Sequence, residues 1–67
     1  MFTIHFIRNT SVTFYDKKGR AEWYGSDYGH REKMVVRDIV SANKEMVFCV
    51  GYDYETVGIP LDAISIS

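Results

Sequence analysis

The feature that most constrains this chain is that its apolar residues recur in short alternating runs separated by turn residues. In the run FTIHFIR, residues 2–8, Phe2, Ile4 and Phe6 share one parity, and polar residues fall between them. A period of two, carried by aromatic and β-branched residues, is typical of a strand with one buried face. The longest apolar run is MVFCV, residues 46–50, far short of the roughly 20 residues that span a bilayer.

The stretch SVTFYDKKGRAEWY, residues 11–24, is the clearest single unit and predicts a β-hairpin. Asp16 favours the start of a type I turn, and Gly19 supplies the positive φ that hairpin loops of this kind require. The returning strand would place Ala21 and Trp23 on one face. The polar stretch GSDYGHREK that follows, residues 25–33, predicts a loop.

The segment MVVRDIVSAN, residues 34–43, fits two structures. Its spacing gives one face of a helix, formed by Val35, Val36, Ile39 and Val40. These residues are also β-branched, which lowers helix propensity and favours a strand. We favour the strand, with a bulge or twist at Arg37–Asp38, because Asn43–Lys44 is typical of a tight turn into the next strand.

The C-terminal segment predicts a short strand to Ile59, a helical corner at Pro60–Ala63 and a last short strand. The letters VGIPLDAI, residues 57–64, resemble the terminal strand and 3₁₀ turn of SH3-type barrels. Tyr52-Asp53-Tyr54 is similar to a tyrosine motif of SH3 domains. In those domains the motif stands near the start and a tryptophan follows it, whereas here the motif is late and Trp23 precedes it. We therefore assign no peptide-binding residues to this chain on the basis of SH3 domains.

Taken together, five or six short strands with tight turns predict one small all-β domain over residues 1–67, an SH3-like antiparallel barrel. The alternative is an α+β fold with one helix near 31–42 packed on an antiparallel sheet. At 67 residues, such a domain buries only roughly 60% of its unfolded surface. Aromatic residues, 15% of the chain, help so small a core to close.

Cysteine and histidine usage argues against a secreted, metal-binding or enzymatic protein. Cys49 is the single cysteine, so the disulfides that staple small secreted domains are not available. With His5 and His30 it forms no paired metal-ligand spacing, so we expect no metal and no cofactor. No serine stands in a nucleophile elbow, and so small a barrel leaves little room for a pocket of roughly 300 Å³ or more. We expect a soluble, cytoplasmic protein that is not an enzyme and has no membrane partner.

The distribution of charge leaves nucleic-acid binding open. The formal net charge is −1, whereas nucleic-acid binders usually carry a clear basic excess. All eight Lys and Arg nevertheless precede residue 45. If the hairpin tip and the following loop lie side by side, one basic face beside aromatic rings could bind single-stranded RNA. The candidate residues are Lys17, Lys18, Arg20, Arg31 and Lys33.

Protein binding is the function that the tyrosines favour. Tyrosine is common at interfaces because it buries a large ring and loses little rotamer entropy. Acids beside the rings would select a partner with a basic surface. The candidate residues are Tyr24, Tyr28, Tyr52, Asp53, Tyr54 and Glu55. We expect a small regulator or inhibitor that occupies a partner protein's surface, by analogy with compact phage or bacterial accessory proteins. A homo-oligomeric structural subunit is the third alternative.

Overall fold

The computed structural model describes the backbone of residues 1–67 and all side chains except those of residues 22–26. The chain forms β1 (Phe2–Phe6), β2 (Thr10–Tyr15), β3 (Ala21–Tyr28), β4 (Lys33–Val36), β5 (Asp38–Ala42), β6 (Met46–Val50), β7 (Thr56–Pro60), a 3₁₀ turn (Leu61–Ala63) and β8 (Ile64–Ile66). The predicted all-β antiparallel fold is confirmed. The alternative helix near 31–42 is wrong, because β4 and β5 occupy that segment.

The strands form two antiparallel sheets, and the bent segment from β4 to β5 contributes one strand to each. The first sheet has the order β4-β1-β8, and the second has the order β3-β2-β7-β6-β5. Only Arg37 separates β4 from β5, and its N–H donates a 2.7 Å hydrogen bond to the Val50 carbonyl. This corner stands where the break in alternation predicted a bulge or twist. It also raises the number of strands to eight. In the described backbone the ladders do not join the two sheets into one closed barrel.

Among the residues whose side chains the structure describes, ten buried hydrophobic residues form one cluster between the sheets. Ile4 and Phe6 enter it from the face of β1 that the alternation predicted, while Phe2 remains 36% exposed at the edge. The other members are Val12, Val36, Val47, Cys49, Val57, Ile59, Ala63 and Ile64. Burial raises the pKa of the Cys49 thiol, as expected for a group whose charged form loses its hydration.

Turn residues hold the hairpin in the predicted way. Asp16 Oδ1 accepts hydrogen bonds from the N–H groups of Lys18 and Arg20, both at 2.9 Å, and Gly19 has a φ of +80°. The 3₁₀ turn stands where the resemblance to SH3-type barrels places it. In the described part of the chain this turn is the one helical element, and it is far too short to cross a membrane.

The loop predicted at 25–33 is wrong over its first half. β3 continues to Tyr28, with Asp27 paired to Ser11 of β2, and the Ser11 hydroxyl donates a hydrogen bond to the Asp27 carboxylate. β3 is an edge strand, where one side of the backbone is open to water and polar residues are tolerated. The connection is confined to residues 29–32, where the Gly29 N–H donates to Glu32 Oε1 at 2.8 Å.

Candidate functional site

The most prominent concave feature is a groove between the tip of the β2–β3 hairpin and the turn that joins β6 to β7. β2 pairs antiparallel with β7, and Tyr15 lies opposite Thr56. This pairing brings residues 16–19 beside residues 53–55, which are far away in sequence. The groove has a volume of about 810 Å³ and is lined by Tyr15, Asp16, Lys17, Gly19, Phe48, Asp53, Tyr54, Glu55 and Thr56.

Aromatic rings form the floor of the groove. Tyr15 and Phe48 meet edge to face, with centroids 6.0 Å apart and an interplanar angle of 61°. Gly58 of β7 lies beneath them. A Cβ there would stand 3.0 Å from Tyr15 Cε2 and 3.2 Å from both Phe48 Cε1 and Met46 Cε. These separations are tighter than ordinary van der Waals contact, so glycine lets the rings settle on the sheet.

Carboxylates outnumber cations at the groove. Asp16, Asp53 and Glu55 line it, and Lys17 is the basic residue among the lining side chains. Asp16 is engaged by its own turn and by Arg20, whose Nε lies 3.3 Å from Asp16 Oδ2. Within the described part of the chain, the side chains of Asp53 and Glu55 make no hydrogen bond or ion pair. Their carboxylates are therefore available to a ligand.

Arg37 lies against both tyrosines of the β6–β7 turn. Its guanidinium carbon is 4.5 Å from the centre of the Tyr54 ring and 5.2 Å from that of Tyr52. Its Nε donates a 3.1 Å hydrogen bond to the Tyr52 carbonyl. Cations are attracted to aromatic faces at these distances. The corner between β4 and β5 thus supports the wall of the groove.

Tyr54 has an unusual backbone conformation for an exposed aromatic residue. Its φ is +62°, and its side chain is 73% exposed. The left-handed region costs an ordinary L-residue about 1–2 kcal/mol. The turn enforces it through hydrogen bonds from the Gly51 N–H to the Glu55 carbonyl at 2.9 Å and from the Tyr54 N–H to the Gly51 carbonyl at 3.0 Å. The ring is therefore held at the groove despite strain in its backbone.

The structure brings four of the predicted partner-binding residues into one turn and places Tyr28 elsewhere. Tyr52, Asp53, Tyr54 and Glu55 all belong to the β6–β7 turn. Tyr28 is half-buried and stacks on Phe6, with centroids 4.5 Å apart at 11°. Burial, and secondarily the negative charge of Glu32, raise the pKa of the Tyr28 hydroxyl. The side chain of Tyr24 lies outside the described residues.

The five basic residues of the nucleic-acid hypothesis do not form one patch. Lys17, Lys18 and Arg20 are at the hairpin tip, beyond the pair Tyr15–Ala21, whereas Arg31 and Lys33 follow the opposite end, where Thr10 pairs with Tyr28. At about 3.3 Å per residue, β2 separates the two groups by roughly 16 Å. The side-by-side arrangement that this hypothesis needs is therefore absent from the described structure.

Sequence reasoning missed the floor of the groove and its support. The expectation that so small a fold leaves little room for a pocket is wrong, because two loops extend beyond strands β2, β6 and β7 and enclose this groove on the outer face of the sheet. One available signal was the run MVFCV, in which the alternate positions Met46 and Phe48 are as apolar as the buried ones. Nothing local indicated Arg37, since its contacts are with residues 52 and 54 on another strand connection.

Comparison with known proteins adds no relative. A scan of protein-family models, a search of curated proteins and a search of solved structures each found no match to this chain. Among the described residues, no group of three or more His, Cys, Asp or Glu side chains could hold a metal ion. The functional argument therefore depends on the geometry and charge of the groove.

Proposed function

We propose that this chain is a non-enzymatic protein-interaction module, a small regulator or inhibitor. It occupies a basic surface of a partner protein, and the groove is the part that binds. The observation that carries the proposal is the groove itself. It combines an aromatic floor, Tyr15 and Phe48, with the carboxylates of Asp53 and Glu55, which have no side-chain partner among the described residues.

Each part of the groove supports a different part of this function. The rings of Tyr15 and Phe48 offer apolar area whose burial would supply affinity at about 25 cal/mol per Å² before the costs of association. Tyr54 is exposed at the wall and already oriented by Arg37, so binding loses little of its rotamer entropy. The carboxylates at the rim favour a basic partner and repel an acidic one.

The two other hypotheses find less support. Phosphate backbones require a concentration of Lys and Arg, whereas the groove is acidic and the basic residues are divided between the two ends of the hairpin. Oligomerisation by strand pairing requires a regular free edge. The edge strands β4 and β8 span only four and three residues. The pairings of edge strands β3 and β5 with their neighbours contain register shifts, which interrupt the row of backbone groups that a second strand would need.

A separation-of-function variant, Tyr54→Asn, tests the proposal. Asparagine tolerates positive φ, so the turn keeps its conformation while the ring is removed. A photocrosslinking residue at position 18, exposed in the hairpin tip beside the groove, first captures the partner, which is then purified and titrated by calorimetry. We expect at least tenfold weaker binding by Tyr54→Asn, with a free energy of unfolding within about 1 kcal/mol of the parent, because relief of strain offsets the lost stacking.

Ile7→Ala is the matched control for this variant, because Ile7 is 53% exposed and lies outside the groove. The affinity of the Ile7→Ala variant for the partner should equal that of the parent. Equal binding by Tyr54→Asn and the parent would overturn the proposal. Loss of binding in Lys17→Glu plus Arg20→Glu, together with release of the partner by nuclease, would move the function to nucleic acid.

A further inference from the structure

We infer that the groove receives one arginine or lysine side chain of the partner, with its alkyl stem on the aromatic floor and its charge at Asp53 and Glu55. This inference rests on the proposed function and names the chemical group that the groove recognises. It follows from three observations, which concern the shape of the groove, the rings and the carboxylates.

The groove suits a side chain that is apolar along its stem and charged at its end. Tyr15 and Phe48 cover the floor, and the carboxylates stand on the lining formed by the β6–β7 turn. Lysine and arginine bury their methylene groups against apolar surface while the charged head stays at the polar rim. The volume of about 810 Å³ lies within the roughly 300–1,000 Å³ of ligand pockets, which leaves room for the adjoining backbone of the partner.

The molecule already contains one example of the recognition that we infer. The guanidinium of Arg37 stacks on Tyr54 at 4.5 Å, so the environment of this ring favours a planar cation. Tyr54 also borders the groove. A cation that enters the groove would meet the same ring chemistry, together with carboxylates that Arg37 does not engage among the described residues.

The free carboxylates decide the sign of the ligand. Asp16 is occupied by Arg20 and by its own turn, whereas the side chains of Asp53 and Glu55 have no partner among the described residues. A cation would form charge-assisted hydrogen bonds with them, which are stronger than neutral ones. An isosteric neutral side chain would displace water from both carboxylates without supplying a positive charge to compensate for their lost hydration.

The test uses four pentapeptides of glycine and serine that differ only at the central residue, which is arginine, citrulline, lysine or norleucine. Each peptide is titrated into the isotope-labelled protein while the amide signals of Tyr54, Glu55, Thr56 and Gly58 are followed by NMR. We expect the arginine and lysine peptides to shift these signals with at least tenfold higher affinity than their neutral counterparts. The affinity of the charged peptides should fall as salt is added.

Variants of the protein complete the experiment. Asp53→Asn plus Glu55→Gln should weaken the arginine peptide at least tenfold. Glu45→Gln, which removes an exposed carboxylate at the β5–β6 turn, should leave its affinity unchanged. All three substitutions are nearly isosteric and lie at exposed or half-exposed positions, so the fold should persist.

The outcomes separate this inference from the proposed function. Equal binding of the arginine and citrulline peptides, or no binding of any peptide, would overturn the inference. The proposed function would still stand if the captured partner bound the parent and lost affinity for Tyr54→Asn. If Tyr54→Asn also left partner binding intact, both would fail.

Discussion

Strand β6 has two apolar faces, and the folded protein buries one of them fully and the other only partly. Val47 and Cys49 point inward and are 2% and 0% exposed, whereas Met46 and Phe48 point outward and are only half-buried. On the neighbouring strand β7, Ile59 faces the core with 0% exposure, while Gly58 carries no side chain beneath the groove. Two faces of similar hydrophobicity thus become a sealed interior and an open floor.

The difference lies in what covers each face. The inner face packs against β1 and the residue that ends the 3₁₀ turn, with Phe6 and Ala63 in the shared cluster. Over the outer face the hairpin tip and the β6–β7 turn stand at the sides and leave the space between them open. Hydrophobic composition alone therefore does not distinguish core from binding surface, since the arrangement of distant loops decides which face is sealed.

The largest effect should come from the sealed face. Ile59→Ala removes fully buried methylene groups and leaves a cavity, which typically costs about 2–5 kcal/mol. A 67-residue domain has roughly 3–10 kcal/mol of stability in total, so the loss is at least about a fifth of that total, and at the low end of the range it unfolds the variant in water. Ile59→Val, at about 0.5–1.5 kcal/mol, keeps the measurement possible by urea denaturation. A change below about 0.3 kcal/mol in Ile59→Val would contradict the tight packing described for this position.

A smaller loss of stability should follow from the open face. Phe48→Ala removes a ring that is only partly buried, so we expect a cost below that of a fully buried phenylalanine, about 1.5–2.5 kcal/mol. The same variant should lose at least tenfold in partner affinity, which Ile59→Val should retain. If Phe48→Ala lost the full cost of a buried phenylalanine, roughly 3–5 kcal/mol, in urea unfolding, the outer face would be a second core and the comparison would fail.

The smallest effect sharpens the comparison through pH. The pKa of the Cys49 thiol is raised by burial, so the folded protein keeps the thiol neutral at a pH where the unfolded chain releases its proton. The resulting stability is fully present below the ordinary thiol pKa of about 8.5 of the unfolded chain, and it is lost progressively as pH rises from there through the raised pKa of the folded protein. Cys49→Val should remove this decline, measured as urea midpoints between pH 7 and pH 9.5.

That pH window avoids the titration of a second group whose pKa is raised. The pKa of Tyr28 is also raised, chiefly by burial, but an ordinary tyrosine titrates only near pH 10. An identical alkaline decline in Cys49→Val and the parent would show that the inner face of β6 admits water, against its 0% exposure at Cys49.

Local structure was readable from the sequence where neighbouring residues determine it. Asp16 and Gly19 specified the hairpin turn, and Pro60 marked the 3₁₀ corner, because side-chain hydrogen bonds and fixed φ values act over a few residues. The segment 31–42 was harder, since its spacing suited a helix as well as a strand. The segment forms strands because β4 pairs with β1 and β5 pairs with β6, and these long-range contacts are not visible in the local pattern.

The groove could be only half anticipated, because it arises from contacts between distant segments. The tyrosine and acid cluster at 52–55 was visible as a dense group of binding residues. Its position beside the hairpin tip depends on the pairing of Tyr15 with Thr56, which has no short-range signal. The stack of Arg37 on Tyr54 likewise follows only when the corner after β4 has been placed.

Gly58 and the alternation along β6 have a consequence for how such a protein can evolve or be engineered. The side chain of Phe48 and the absence of one at Gly58 shape the outer floor, while the immediate neighbours at 47, 57 and 59 hold the interior together. Recognition and foldability are thereby encoded by separate residues of the same two strands. A library that varies the outward side chains and keeps Gly58 could change what the groove accepts while it conserves the sealed interior, so the domain offers a scaffold for new binding specificities.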